Sequence, residues 1–236
     1  MKSKRLQKII EDNLKFEKQT PFNFCDRFCE RCPYEKQDSC RLYRDEFEQK
    51  ITCVAYGKDP YDPEITHQVM EQQFKEVEDR IQRFQQDNDV DFDETVDSYA
   101  EQMEQLFESV DNNPLSITAK TYCSRSGNFL KETFFDKKDI SSELVYDFQT
   151  ISWYHTLIPV KLNRALSGIN QGLSENEYTL HDVVAQFAIC RKSINESIKA
   201  LQKINAHLSD YKNIINELVI ILRSILSRIE QMEDQI

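Results

Sequence analysis

Apolar residues recur at alternating steps of three and four along most of the chain, which is the spacing of one face of an α-helix. The longest such stripe runs from Tyr211 to Ile236, and two more lie between Met70 and Val110. The chain has only 4 glycines and 6 prolines, the residues on which the many tight turns of β folds depend. The pattern predicts an all-α fold, a multi-helix bundle with an irregular N-terminal segment.

Helix boundaries follow from the stripes and from the turn-forming residues between them. Gly57–Pro63, with two prolines and two aspartates, is a linker. Side chains placed to cap helix N-termini are those of Asp62, Ser141, Ser142 and Thr179. The predicted helices are Arg5–Lys18, Arg41–Tyr56, Pro63–Phe84, Phe92–Val110, Leu115–Phe135, Ser142–Leu166, Thr179–Ile204 and Tyr211–Ile236.

The apolar faces of these helices predict how they pack. The stripes on either side of the polar break at Gln85–Asp89 favour an antiparallel hairpin. The helix that ends at Leu166 is apolar on two sides and is expected to be the most buried. The Tyr211–Ile236 seam keeps an unbroken heptad, so it packs within a monomer or forms a coiled-coil homodimer. The matching face of Phe187–Ile204 favours the packing within one chain.

The linker separates two predicted parts of the 236-residue chain. Residues 1–56 hold a helix and a cysteine-ligated metal- or cluster-binding segment. Residues 64–236 form the helical bundle, and the two parts are also compatible with one continuous domain.

Acidic residues dominate the surface charge, and the formal net charge is −11. Between Glu71 and Glu108 there are thirteen acidic residues and three basic ones. Such a surface repels phosphate backbones, which argues against nucleic-acid binding but leaves room for a protein partner. No apolar signal-peptide core follows Met1–Lys8, and the longest apolar run, Leu218–Leu222, is too short to span a membrane. These features predict a cytoplasmic protein with reduced cysteines.

Four of the seven cysteines lie within sixteen residues, in the spacing C-x3-C-x2-C-x7-C. We call Cys25, Cys29, Cys32 and Cys40 the cysteine cluster. In a reducing compartment such a run indicates metal ligation rather than disulfide bonds. Four soft thiolates at this spacing can surround one centre without a ligand from elsewhere in the chain.

The spacing also bears on which metal these thiolates bind. Structural zinc usually takes two short pairs joined by a longer arm, whereas three ligands here form one tight run. That layout, with Pro33 directly after Cys32, favours a [4Fe–4S] cluster over Zn²⁺, and both stay open. Side chains placed to shield the sulfurs or to offset their charge are Phe24, Phe28, Tyr34, Arg27, Arg31 and Arg41. Radical S-adenosylmethionine enzymes share the C-x3-C-x2-C spacing, but they resemble one another in a strand-rich barrel that this chain cannot supply.

The run NFCDRFCERCP, from Asn23 to Pro33, resembles a set of uncharacterised bacterial proteins. These have an N-terminal NFCDRxCERCP-type cluster followed by helices. The resemblance extends to Cys40 and, more weakly, to the region around Trp153–Leu166. It implies ligation by these cysteines and implies no activity. In that family the fourth cysteine follows sooner than Cys40 does here, so the resemblance supports the first three ligands most directly.

Two histidines suggest a second site. Glu64 and His67 form one Glu-x-x-His pair, the spacing used by ferritin-like di-metal bundles, which need two such pairs. His155 lies on the apolar stripe of its helix, two turns after Asp147 and four residues before Pro159. A pocket at that point is one interpretation, and a core histidine bonded to a neighbour is the simpler one. Two of the three remaining thiols, Cys123 and Cys190, are expected to be ordinary buried groups.

These observations leave more than one function open. The first hypothesis is a metal- or iron–sulfur-binding helical protein with a redox or sensing role. An alternative is an interaction or scaffold protein in which zinc only staples the N-terminal segment. An enzyme with a pocket near His155 is a weaker alternative, and the sequence does not decide whether the protein is an enzyme at all.

Overall fold

The computed structural model describes residues 3–88, 93–136, 140–171 and 177–236, and leaves aside the side chains of residue 34 and of residues 88–98. Helices make up most of the described ranges, and no strand occurs in them. The all-α prediction is therefore confirmed. None of the described helices combines the length and the apolar character that crossing a bilayer requires.

The helices follow the predicted boundaries closely. A π-helical turn at Lys131–Phe135 extends the helix Pro114–Leu130. Short 3₁₀ turns lie at Pro21–Asn23, Cys29–Arg31 and Ser209–Tyr211. In chain order the α-helices are α1 (Lys4–Gln19), α2 (Tyr34–Gln37), α3 (Arg41–Ala55), α4 (Pro63–Asn88), α5 (Asp93–Asp111), α6 (Pro114–Leu130), α7 (Ser142–Asn170), α8 (Glu177–His207) and α9 (Lys212–Glu233).

Of the four predicted caps, one was right and three were wrong. Ser142 is the first residue of α7 rather than a cap. The Oδ1 atom of Asp62 accepts hydrogen bonds from the backbone N–H groups of Glu64 and Ile65, at 3.0 and 3.2 Å, and so caps α4 as expected. Ser141 stands at the N-cap of α7, but its side chain makes no capping hydrogen bond. Thr179 lies inside α8, because the described helix already begins at Glu177.

The chain divides into two compact units. The first comprises Met1–Gln19, Asn23–Phe28 and Leu106–Ile236, and the second comprises Thr20–Phe22 and Cys29–Gln105. The cysteine cluster contributes to both, with Cys25 in the first unit and its other three members in the second. The domain boundaries at 1–56 and 64–236 stay a prediction.

The core of the first unit is built by α6, α7, α8 and α9. The heptad seam of α9 is buried inside this unit, since its core positions are at most 1% exposed: Ile215, Leu218, Leu222, Ile225 and Ile229. The seam therefore packs within the chain. A smaller cluster, made of Leu6 and Ile9 with Leu180 and Val184, attaches α1 to α8.

One apolar face of α7 is buried and the second is not. Leu144, Phe148 and Ile151 lie in the core, whereas Tyr146 is 60% and Val160 64% exposed. The prediction that α7 is the most buried helix rested on two apolar faces, and only one of them is fully buried. The helix continues through Pro159, which is itself buried.

Two glycines of the first unit give a matched test of helix packing. A Cβ atom added to Gly168 would lie 2.6 Å from the Cγ2 of the buried Val183 on α8. At Gly127 the nearest atom to such a Cβ is the Nε2 of His155, at an ordinary 3.8 Å. We therefore expect Gly168→Ala to lower the free energy of unfolding by about 1–3 kcal/mol through overpacking. Gly127→Ala should raise it by up to about 1 kcal/mol through helix propensity. Urea denaturation measures both, and a stabilised Gly168→Ala would contradict the close packing of α7 on α8.

The second unit buries little apolar surface in its described part. The apolar stripe of α4 is 48–68% exposed at every position: Met70, Phe74, Val77, Ile81 and Phe84. On α3, Phe47 and Ile51 are also more than half exposed. The predicted hairpin would cover the α4 stripe, and this exposure does not agree with it.

Candidate metal centre

The four predicted ligands lie in turns rather than in the long helices. All seven cysteines fall in the described part of the chain, and none forms a disulfide bond. Cys25, Cys29 and Cys32 are partly buried and Cys40 is buried. Cys40 stands at the N-cap of α3.

Hydrogen-bonded turns shape the backbone between the predicted ligands of the second unit. The N–H of Cys32 donates to the carbonyl oxygen of Cys29 at 3.1 Å, which closes the C-x2-C pair in one turn. The side-chain amide of Gln37 donates to the carbonyl oxygen of Cys32 at 2.9 Å. The backbone carbonyl of Gln37 in turn accepts from the N–H of Cys40 at 3.1 Å. Gln37 therefore links the backbone of Cys32 to that of Cys40, through its side-chain amide and its own carbonyl oxygen.

The thiols themselves are not gathered into one coordination sphere. Within the described residues, no three His, Cys, Asp or Glu side chains lie close enough together to hold a metal ion. A pocket of about 210 Å³ lies beside Cys29, between Gln37 and the Tyr43 and Phe47 side chains of α3. The donor chemistry of the cluster suits a thiophilic metal, and ligation would require the thiols to converge.

The segment Asn23–Phe28, which we call the docked segment, is fixed to α7 and α8 by Asp26. The Oδ2 of this carboxylate accepts from the Tyr154 hydroxyl and from the Lys192 ammonium, both at 2.7 Å. Its Oδ1 accepts from the backbone N–H of Phe28 at 3.2 Å, and its carbonyl oxygen accepts from Trp153 Nε1 at 2.9 Å. Cys25 is thereby held next to a residue with four hydrogen bonds.

Backbone shape and aromatic packing complete this attachment. Arg27 has a φ of 53°, a left-handed conformation that reverses the chain between Asp26 and Phe28. The Phe28 ring enters the core of the first unit, where it stacks on Trp153 at 4.9 Å and meets the edge of Tyr154 at 6.2 Å. The sequence placed Phe28 beside the sulfurs but gave no role to Asp26. The sequence did contain a signal for this role, because an aspartate side chain can accept a hydrogen bond from the backbone N–H two residues later. Asp26 stands in that position relative to Phe28.

The pKa values of two charged groups, Asp26 in the docked segment and Lys161 on α7, are shifted from their ordinary values. Burial works against ionisation of Asp26, but the hydrogen bonds from Lys192 and Tyr154 outweigh it and hold the pKa of the carboxyl below its usual range. Lys161 on α7 is 6% exposed, and burial lowers its pKa. Cationic Arg27 and Arg164 lower it further, while Cys25 and Asp182 act in the opposite direction.

The two remaining thiols of the first unit are unsuited to ligation. Burial raises the pKa of the Cys190 thiol to about 12, and its Sγ lies 3.8 Å from the carbonyl oxygen of Ile158. Burial also raises the pKa of Cys123. Both thiols are therefore neutral at physiological pH. Cys190 is buried as expected, whereas Cys123 is only partly buried, so the prediction of a buried group was wrong for Cys123.

The residues of the suggested second site have separate partners. His155 Nδ1 donates to the carbonyl oxygen of Ser152 at 2.8 Å. The Asp147 carboxylate pairs with Lys203, 2.9 Å away. In the second unit His67 Nδ1 lies 3.9 Å from Glu71, and the carboxylate of Glu64 lies 3.8 Å from Lys58. These contacts do not join the four predicted residues into one group.

Because His155 bonds to its own helix and rests on Gly127, we expect it to serve packing. Replacing it with glutamine should lower the free energy of unfolding by about 1 kcal/mol, the net value of one hydrogen bond. The metal content of the purified protein should not change. Thermal melting and metal analysis of His155→Gln beside the parent measure both quantities. Unchanged stability together with loss of a bound metal or small molecule would show that His155 is a ligand.

With this geometry in hand, the chain was compared with protein-family models, curated proteins and solved structures, and no match was found in any of the three.

Proposed function

We propose that this protein binds one metal centre through Cys25, Cys29, Cys32 and Cys40, and that the centre serves a redox or sensing role. The observation that carries the proposal is the crowding of four reduced thiols into sixteen residues, with the C-x2-C pair closed in one turn. Ligation draws the four sulfurs to one point, so binding and local folding are coupled.

A [4Fe–4S] cluster is the centre we favour. Three ligands in one compact run are typical of such clusters, and the cluster supplies one-electron redox chemistry when it is bound. The chain's own contribution is to hold Cys25 in place through the hydrogen bonds that join the neighbouring Asp26 to α7 and α8. Phe28 and Trp153 cover one side of the docked segment and limit access of water to it.

A zinc-stapled interaction or scaffold protein is the second candidate. It is favoured by the second unit, whose described part exposes the apolar stripes of α3 and α4. Small units that bury little apolar surface usually depend on a metal or on a partner for stability. A protein partner on the exposed stripe of α4 would fit this role, with the zinc ion acting only as a staple.

The two candidates are separated by the identity of the metal. The full-length protein is purified without oxygen, and its iron, sulfide and zinc contents are measured beside its visible spectrum. A brown protein with a thiolate-to-iron absorption band supports the redox or sensing role. A colourless protein with one zinc ion per chain supports the scaffold. A chain that holds neither metal, before or after reconstitution, would contradict both.

A further inference from the structure

The apolar stripe of α4 lies on a stretch of helix whose side chains are exposed on every side. Every side chain from residue 70 to residue 83 is exposed. Before that stretch α4 is anchored, because Ile65 is buried and the Thr66 hydroxyl accepts a hydrogen bond from Gln49 of α3 at 3.0 Å. Helices in water take most of their stability from packing an apolar face against another element. The exposed stretch is therefore expected to be covered by a partner.

Four apolar side chains of this stretch form a surface that we call the α4 face: Met70, Phe74, Val77 and Ile81. They are 48–68% exposed, and their spacing of four, three and four residues places them on one side of the helix. At the N-terminal end of this face, Met70 and Phe74 line a shallow groove of about 320 Å³. An aromatic ring and an adaptable methionine are side chains that recur at the anchor points of interfaces. A helix with its own apolar stripe matches this surface in shape.

Glutamates follow one edge of the α4 face. Glu71 and Glu78 come directly after Met70 and Val77 and stand seven residues apart, so they lie on the same side of the helix. The Nδ1 atom of His67 lies 3.9 Å from Glu71, but the side chain of Glu71 is still 62% exposed. In paired helices, side chains at such edge positions form ion pairs with the neighbouring helix. Lysine or arginine along the facing edge of a partner helix would complement these carboxylates.

A second copy of the chain does not supply that complement. In an antiparallel pair of α4 helices the two glutamate edges would face each other. In a parallel pair, Glu71 and Glu78 would face Thr66 and Gln73, which carry no charge. The neighbouring helix α5 is no better matched, since it carries seven acidic residues and no basic one. Anionic membranes and nucleic acids are repelled by the same carboxylates, which leaves a basic protein segment as the matching occupant.

We propose that the α4 face binds a partner protein through an amphipathic helix whose apolar stripe is flanked by lysines or arginines. The apolar side chains supply the affinity, and the edge with Glu71 and Glu78 selects a basic partner. This inference rests on the scaffold candidate of the proposed function and adds to it the chemistry of the partner. The contacts themselves involve none of the four predicted metal ligands.

The test uses the full-length protein and two synthetic, fluorescently labelled peptides of about 21 residues, or three heptads. Both peptides carry leucine at the apolar positions of an amphipathic helix. One has lysine on either side of the leucine stripe, and the other has glutamate at the same positions. Binding is followed by fluorescence anisotropy, and the metal content of each protein is measured in parallel. The parent should bind the lysine peptide and discriminate against the glutamate peptide.

Phe74→Ala tests the apolar part of the α4 face. Because it removes the aromatic wall of the groove, it should weaken binding of the lysine peptide about tenfold or more. Phe107→Ala is the matched control, since Phe107 is an exposed phenylalanine of α5 outside the α4 face. The control should bind the lysine peptide as the parent does.

Charge reversal tests the acidic edge. Glu71→Lys combined with Glu78→Lys should reverse the preference, so that the glutamate peptide binds more tightly than the lysine peptide. Glu101→Lys combined with Glu104→Lys makes the same change in net charge at exposed positions of α5. This control should keep the preference of the parent.

No binding of the lysine peptide, equal binding of the two peptides, or parent-like binding by Phe74→Ala would overturn the inference. A parent dimer in sedimentation velocity that Phe74→Ala dissociates would also overturn it, because a second copy would then occupy the α4 face. A parent protein that binds the lysine peptide but takes up no metal would instead refute the proposed metal centre. The two failures are thus distinguishable.

Discussion

Replacing Cys32 with serine is expected to remove the metal centre and to lower the stability of the N-terminal region in the same step. A hydroxyl is a poor ligand for zinc or iron, and the binding free energy of such a site is also folding free energy. Metal content should fall to about a tenth of the parent value or less, since even indirect partners of a ligand matter tenfold. Metal analysis and hydrogen exchange of Cys29–Ala55 measure the two effects.

Cys123→Ser is the matched control for that experiment. This thiol lies on α6, outside the cysteine cluster, and burial keeps it neutral. We expect the control to keep full metal content. Full occupancy in Cys32→Ser, or equal loss in both variants, would contradict the ligand assignment.

Asp26→Ala is expected to release the docked segment from α7 and α8. The substitution leaves the Tyr154 hydroxyl and the Phe28 N–H without their acceptor in a buried place, and it removes the ion pair with Lys192. Lys192 is largely exposed, so the ion pair adds little and the two buried donors dominate. We expect a loss of about 2–3 kcal/mol in the free energy of unfolding, measured by urea denaturation.

A second readout separates release of the segment from general destabilisation. Trp153 stacks on Phe28 and bonds to Asp26, so its fluorescence should change in the folded state of Asp26→Ala. Asp210→Ala removes an exposed carboxylate and should alter neither property. A variant with parent stability and parent fluorescence would show that Asp26 does not anchor the segment.

The helical framework was predictable because its signals are local. Asp62 and Pro63 lie next to the helix they start, and the seam from Ile215 to Ile229 repeats within one helix. Thr179 was misread as a cap because the residues before it show no helical periodicity in the sequence. Threonine also occurs inside helices, as it does here in α8. The exposure of Tyr146 and Val160 could not be foreseen, since it depends on which elements cover α7 rather than on the apolar character of α7.

The candidate ligands were proposed from the sequence alone, and ligation by them stays a prediction. The C-x3-C-x2-C-x7-C spacing singles out the four cysteines, because ligands that come from one short segment lie close together in the sequence. The contacts of Asp26 with Tyr154 and Lys192 join residues 128 and 166 positions apart, and such pairings leave no periodic signal. His155 bonds to the carbonyl oxygen of Ser152, which agrees with its simpler interpretation, and the choice between the two interpretations stays a prediction.

The most direct test of the central claim is the metal-to-chain ratio after anaerobic reconstitution of the full-length protein. Iron with sulfide, and zinc alone, are offered separately to the parent and to a variant with Cys25→Ser, Cys29→Ser, Cys32→Ser and Cys40→Ser combined. We expect one centre per parent chain, with about four irons if it is a [4Fe–4S] cluster, and none in the variant. A parent chain that takes up neither metal, or a variant that binds as much as the parent, would contradict it.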